Sequence, residues 1–179
     1  MFDFDFESAE RTGRRPQSPS AETGDTTAVP SYPWDMGHRF QLVIDCPDPH
    51  VLAEWWAETM SWKVEEQDEA FIRSMIEQGH ATEADTRVYR SALVWRTGAA
   101  IHPDAPAGPD RPRWLFQEVP EGKSVKNRVH IDIRAEDGTD IEALRASLLA
   151  RGATTLHEGR EGPHTWVTMA DPEGNEFCV

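Results

Sequence analysis

Cysteine, tyrosine and positive charge are all scarce in this chain, and no long apolar run interrupts it. Two cysteines in 179 residues, Cys46 and Cys178, cannot build the disulfide framework of a small secreted scaffold. Strand alternation sends them to different sides of their strands, so no bridge between them is expected. No stretch approaches the roughly 20 apolar residues that a membrane-spanning helix needs. The amino-terminal residues are acidic, unlike a secretory leader, so a cytoplasmic protein is expected. Lysine and arginine total 18 against 32 aspartates and glutamates, a net charge of −14. That balance argues against nucleic acid and anionic membranes as partners, and leaves a small-molecule ligand. The length suits one domain or two small fused modules with a real core.

One stretch occurs twice. Gln41-Leu-Val-Ile-Asp-Cys-Pro-Asp48 returns as His130-Ile-Asp-Ile-Arg-Ala-Glu-Asp137. Each copy opens on a residue able to bind a metal or a hydrogen-bond partner, alternates as a strand, and reaches an Asp before a helical stretch. Alternation puts Gln41, Val43 and Asp45 on one face and Leu42, Ile44 and Cys46 on the other. In the second copy His130, Asp132 and Arg134 lie opposite Ile131 and Ile133. One face suits packing on a helix; the other must line something wet.

Along the chain, residues 1–35 read as a disordered acidic tail, too poor in apolar periodicity to offset its ordering entropy. A strand over 39–46 leads to Asp48 as N-cap and Pro49 at the first helical position. The helix runs to Met60 with Leu52, Trp55, Trp56 and Met60 at helical spacing. A strand at 62–66, an extra helix over 68–78 stopped by Gly79, a strand over 86–95, a loop over 103–112 and a strand over 113–119 complete the first half. The segment 120–126, with Lys123 and Lys126, links the halves. The second half offers a strand over 128–134 and a Thr139-x-x-Glu142 capping box. A helix to Ala150 follows, closed by Gly152, with strands at 154–156, 165–170 and 175–179. Asp171-Pro-Glu-Gly174 is the last turn.

Three residues carry the candidate chemistry. Gln41 and His130 are equivalent positions of the repeated strand, and Glu176 comes from the last strand of the second half. An imidazole, a carboxylate and an amide oxygen suit Zn, Fe, Mn, Ni or Co, or no metal at all if His130 or Arg134 neutralises the carboxylate. Glu176 and His130 are the acid–base candidates. Asp45, Asp132, Arg134, Trp114 and Trp166 are candidates to line a ligand, and Trp95 offers a further stacking surface. The tryptophans suit core packing equally well.

On these residues, and on Asn127-Arg-Val-His-Ile-Asp-Ile-Arg134 and Asp171-Pro-Glu-Gly-Asn-Glu-Phe-Cys-Val179, the chain resembles the vicinal oxygen chelate superfamily and its glyoxalase-like domain proteins. The resemblance covers about 38–179. It implies an α+β fold of two βαβββ modules forming an open curved mixed sheet around a cleft, the first over 36–120 with a helical insert and the second over 121–179. In metal-dependent members each module gives one ligand from its first strand and one from its last. Carried onto this chain, that selects Gln41, His130 and Glu176, with Leu115 or Gln117 at the fourth position. The implied activities are a metal-dependent lyase, isomerase or dioxygenase on a small oxygenated substrate, or metal-free sequestration of the bleomycin-resistance type. Pairing into a homodimer is also implied.

Overall fold

The wet-faced and greasy-faced strands assemble into two separate four-stranded sheets. The computed structural model describes residues 40–108, 111–135 and 137–179; the expected tail lies outside them. In chain order the elements are β1 Leu42–Cys46, α1 Pro49–Met60, β2 Lys63–Val64, α2 Glu69–Glu77, β3 Thr86–Tyr89, β4 Ala92–Trp95, β5 Gly98–His102 and β6 Trp114–Glu118. Then come β7 Ile131–Asp132, α3 Ile141–Ala150, β8 Thr154–Glu161, β9 His164–Ala170 and β10 Glu176–Cys178.

The first sheet has the order β1-β6-β5-β2 and the second β7-β10-β9-β8. In both, the first strand runs parallel to the last, and the last antiparallel to its predecessor. The strand expected over 86–95 is instead a hairpin, β3–β4, which forms a sheet of its own. The third strand of the first sheet is β5, which lies between that hairpin and the loop expected over 103–112. Arg90 and Ser91 make the hairpin turn with φ of 44° and 72°. Such turns are usually announced by Asn-Gly, so the break was hidden.

Local signals place most of the rest. Asp48 accepts from the amides of His50 and Val51 and starts α1 behind Pro49. Asp68 does the same for Ala70 and Phe71 at α2, and Gly79 follows that helix at φ 73°. At α3 the cap is Asp140, which accepts from the Ala143 amide. The Thr139 capping box is therefore displaced by one residue, a carboxylate having taken the N-cap.

Both sheets share one core. Leu52, Ala53, Trp55, Trp56 and Ala57 of α1 cluster with Ile101 and Phe116 of the first sheet, Val167, Met169 and Phe177 of the second, and Leu148 of α3. Trp56 meets Phe177 and Trp114 edge-on, each with ring centroids 5.3 Å apart. The indole N–H of Trp56 donates to Asp171 Oδ2 at 3.0 Å, and that of Trp55 to the Arg151 carbonyl at 3.0 Å. Each large side chain buried this way contributes about 1.5–3 kcal/mol from area alone. Among the described residues no helix is long and apolar enough to cross a membrane.

Candidate functional site

The closing motif builds one side of the site. Asp171 is 3 % exposed, and its Oδ1 accepts from the backbone amides of Glu173 and Asn175 at 3.0 and 2.9 Å. With Trp56 on Oδ2, this carboxylate fixes the turn before β10, and Gly174 supplies the left-handed residue at φ 89°. Asn175 then accepts from the Asn127 side chain at 3.3 Å, tying the segment before β7 to the segment before β10. Phe177 lies level with Ile131 across the parallel pair, which puts Glu176 beside His130.

Glu176 has a side chain only 12 % exposed, with both oxygens engaged. Oε1 accepts from Lys123 Nζ at 2.9 Å and Oε2 from the Asn127 amide at 3.0 Å. Burial alone would raise its pKa; the Lys123 ammonium and the Asn127 N–H outweigh burial and hold it at about 2. Lys123 also donates to the Val125 carbonyl at 2.8 Å. Exposed His130 is hydrogen-bonded through Nε2 to the Lys126 ammonium.

The equivalent place in the first half is different. Leu42 pairs with Trp114 as Ile131 pairs with Phe177, so the partner of Gln41 is Arg113. Arg113 donates to Gln41 Oε1 at 2.6 Å and grips both carboxylate oxygens of Glu65 at 2.8 and 2.9 Å. Its guanidinium holds the Glu65 carboxyl below the usual range, against the opposing effect of burial. This register moves the fourth position away from both sequence candidates. Leu115 lies opposite Val43, and Gln117 opposite Asp45, four residues or roughly 13 Å along the strand. The signal that finds Arg113 is the inward aromatic, Trp114 matching Phe177.

These groups do not fit a resident divalent ion as they stand. A metal needs converging lone-pair donors in deprotonated or neutral form. Here Gln41 is taken by Arg113, His130 by Lys126 and Glu176 by Lys123, and a guanidinium at the fourth place has no lone pair to give. Among the described residues no three His, Cys, Asp or Glu side chains gather where a metal could bind.

The remaining candidates divide between core and surface. Trp114 packs edge-on against Trp56 and Trp62 and belongs to the core contacts. Asp45, Asp132 and Arg134 are exposed, and Trp166 is half-buried on β9. Two surface hollows lie elsewhere, one between α2 and the β3–β4 hairpin and one beside α1 at Trp55 and Arg151.

Residues 41–179 match the family model of the glyoxalase-like domain. The chain belongs to the glyoxalase-like domain family. Solved structures carry the same fold. The fosfomycin resistance protein FosX from Mesorhizobium loti superposes with a TM-score of 0.50 at 8% identity, over 80% of this chain and 90% of that one. Protein ATC0852 from Agrobacterium tumefaciens gives 0.51 at 12% identity, over 80% and 96%. No functionally curated protein matches. The glyoxalase-like fold thus explains the twice-used sheet order.

Proposed function

We propose that this glyoxalase-like protein binds a small molecule without a resident metal ion. The observation that carries this reading is Arg113 at the position paired with Gln41, where a fourth metal ligand would stand, together with Lys123 on Glu176. A fixed ammonium already neutralises the Glu176 carboxylate, and a fixed guanidinium stands where a fourth ligand would. The polar faces of the two sheets then serve as recognition surfaces. Sequestration of a ligand is the activity this arrangement supports, in preference to Lewis-acid lyase, isomerase or dioxygenase chemistry.

The test is elemental analysis of untagged full-length protein, followed by calorimetric titration with Zn, Ni, Co and Mn. The expected result is no stoichiometric metal in the purified protein and no saturable binding. Stoichiometric binding that disappears in a His130→Ala/Glu176→Ala variant would overturn the reading and restore a metal-dependent enzyme.

A further inference from the structure

The buried and half-buried acids among the described residues are matched to donors, with one exception. Asp48 pairs with Arg87, Glu54 with Arg90, Glu65 with Arg113 and Glu176 with Lys123. Asp171 takes the Trp56 indole and two backbone amides of its own turn. Half-buried Glu173 is the exception: among the described residues no donor reaches its carboxylate. Burial raises its pKa first, and the nearby charges of Asp171 and Asp48 raise it further. A carboxylate held partly out of water among like charges is stabilised by a cation that arrives from solution.

Glu173 lines the hollow beside α1, a cavity of about 370 Å³. Val51, Trp55 and Pro172 give that hollow an apolar surface, and Val51 is 49 % exposed. Glu54 and Glu58, one helical turn apart on α1, add two further carboxylates. Arg151 is the one cation of the lining, and it is already committed. Its guanidinium lies over the Trp55 ring at 5.1 Å, donates to the Trp55 carbonyl and to Thr59 Oγ1, and pairs with Glu58 at 3.2 Å. The charge facing this hollow is therefore negative on balance. The hollow between α2 and the β3–β4 hairpin has no such bias, because Arg73 and Arg87 there offset Glu77 and Glu83.

We infer that the hollow beside α1 binds a small organic cation: an ammonium pairs with Glu173, and the apolar body it carries lies on Val51, Trp55 and Pro172. An ammonium has donors only, which suits a carboxylate that no donor of the protein reaches. The apolar body gains by covering side-chain surface that water now wets. Gln41, His130 and Glu176 do not line this hollow, so the site is separate from the one considered for a metal.

The test uses the full chain and four probes: 2-phenylethylammonium, the neutral 2-phenylethanol, 3-phenylpropionate, and methylammonium, which keeps the charge and lacks the body. Isothermal titration at low salt should show 2-phenylethylammonium binding about tenfold tighter than any of the other three. Glu173→Gln should lose about tenfold of that affinity, and Val51→Ser about threefold. Glu161→Gln removes an exposed, unpaired acid of β8 and should change nothing. Circular dichroism checks that each variant is folded, and Glu173→Gln, relieved of like-charge repulsion, should unfold at no lower urea concentration than wild type. Equal affinity for the alcohol and the ammonium, methylammonium binding as tightly as 2-phenylethylammonium, or no binding at millimolar concentration would each overturn the inference. So would unchanged affinity in Glu173→Gln, or an equal loss in Glu161→Gln, which would mean attraction by the overall charge of −14 alone. None of these results bears on the metal titrations, so the two readings fail separately.

Discussion

Replacing Lys123 with methionine removes the ammonium that compensates the Glu176 carboxylate while keeping a stem of similar length. In the native protein Glu176 is held at about 2 against an ordinary value of 4.5. At about 1.4 kcal/mol per pH unit that gap sets a ceiling of roughly 3 kcal/mol, and solvent screening together with the share held by the Asn127 amide lowers the part due to Lys123 to about 1–2 kcal/mol. A carboxylate depressed in the folded state stabilises the protein above its unfolded value of 4.5, and that contribution fades as the pH falls toward 2. Lys123→Met should therefore unfold about 1–2 kcal/mol more easily than wild type at pH 7, with the difference shrinking below pH 4.5. Glu176→Gln, which cannot ionise, gives the reference curve. Urea denaturation followed by circular dichroism at pH 7 and at steps from 5 to 2.5 reads all three proteins. If wild type and Glu176→Gln lose stability in parallel over the acid range, the Lys123–Glu176 pair does not hold the charge as argued.

Two further outcomes follow from local geometry. Ser91→Gly places the residue that best tolerates a φ of 72° at the hairpin tip, and should raise the urea midpoint by an amount equivalent to about 0.5–1 kcal/mol. The Cys46 thiol, 2 % exposed, is pushed up to about 12 by burial first and then by Glu173, Asp48, Asp171 and Asp45. Iodoacetamide at pH 8 should accordingly modify the half-buried Cys178 in native protein and reach Cys46 only after denaturation, as peptide mapping would show.

The parts of this fold that could be read in advance are those fixed by neighbours in sequence. The alternation of Leu42, Ile44 and Cys46 gave the inward face of β1, and Asp48-Pro49 gave the start of α1. The hairpin tip is not legible because Arg90-Ser91 is none of the Asn-Gly, Asp-Gly or Gly-X pairs that announce a two-residue hairpin turn. Tertiary contacts hold it instead, through the Arg90 guanidinium on Glu54 of α1 at 2.6 Å. Repetition singles out Gln41 and His130, and the closing strand adds Glu176, but neither signal says what faces them. What faces them depends on register and on a linker. Arg113 is set by which aromatic turns inward on β6, and Lys123 reaches Glu176 across 53 residues of sequence. No local pattern encodes either contact.

The two adjacent tryptophans of α1 have a consequence for how the molecule comes apart. Trp55 meets Phe177 edge-on and donates to Arg151 at the end of α3, and Trp56 reaches Asp171 and Phe177 as well as Trp114. The second sheet therefore takes part of its hydrophobic cover, and the anchor of its last turn, from a helix encoded in the first half. Cut after Val119, the carboxyl-terminal fragment would expose that surface and leave Asp171 without its indole donor. The two repeats, alike in strand order, are on this account obliged to melt together in a single transition rather than in two.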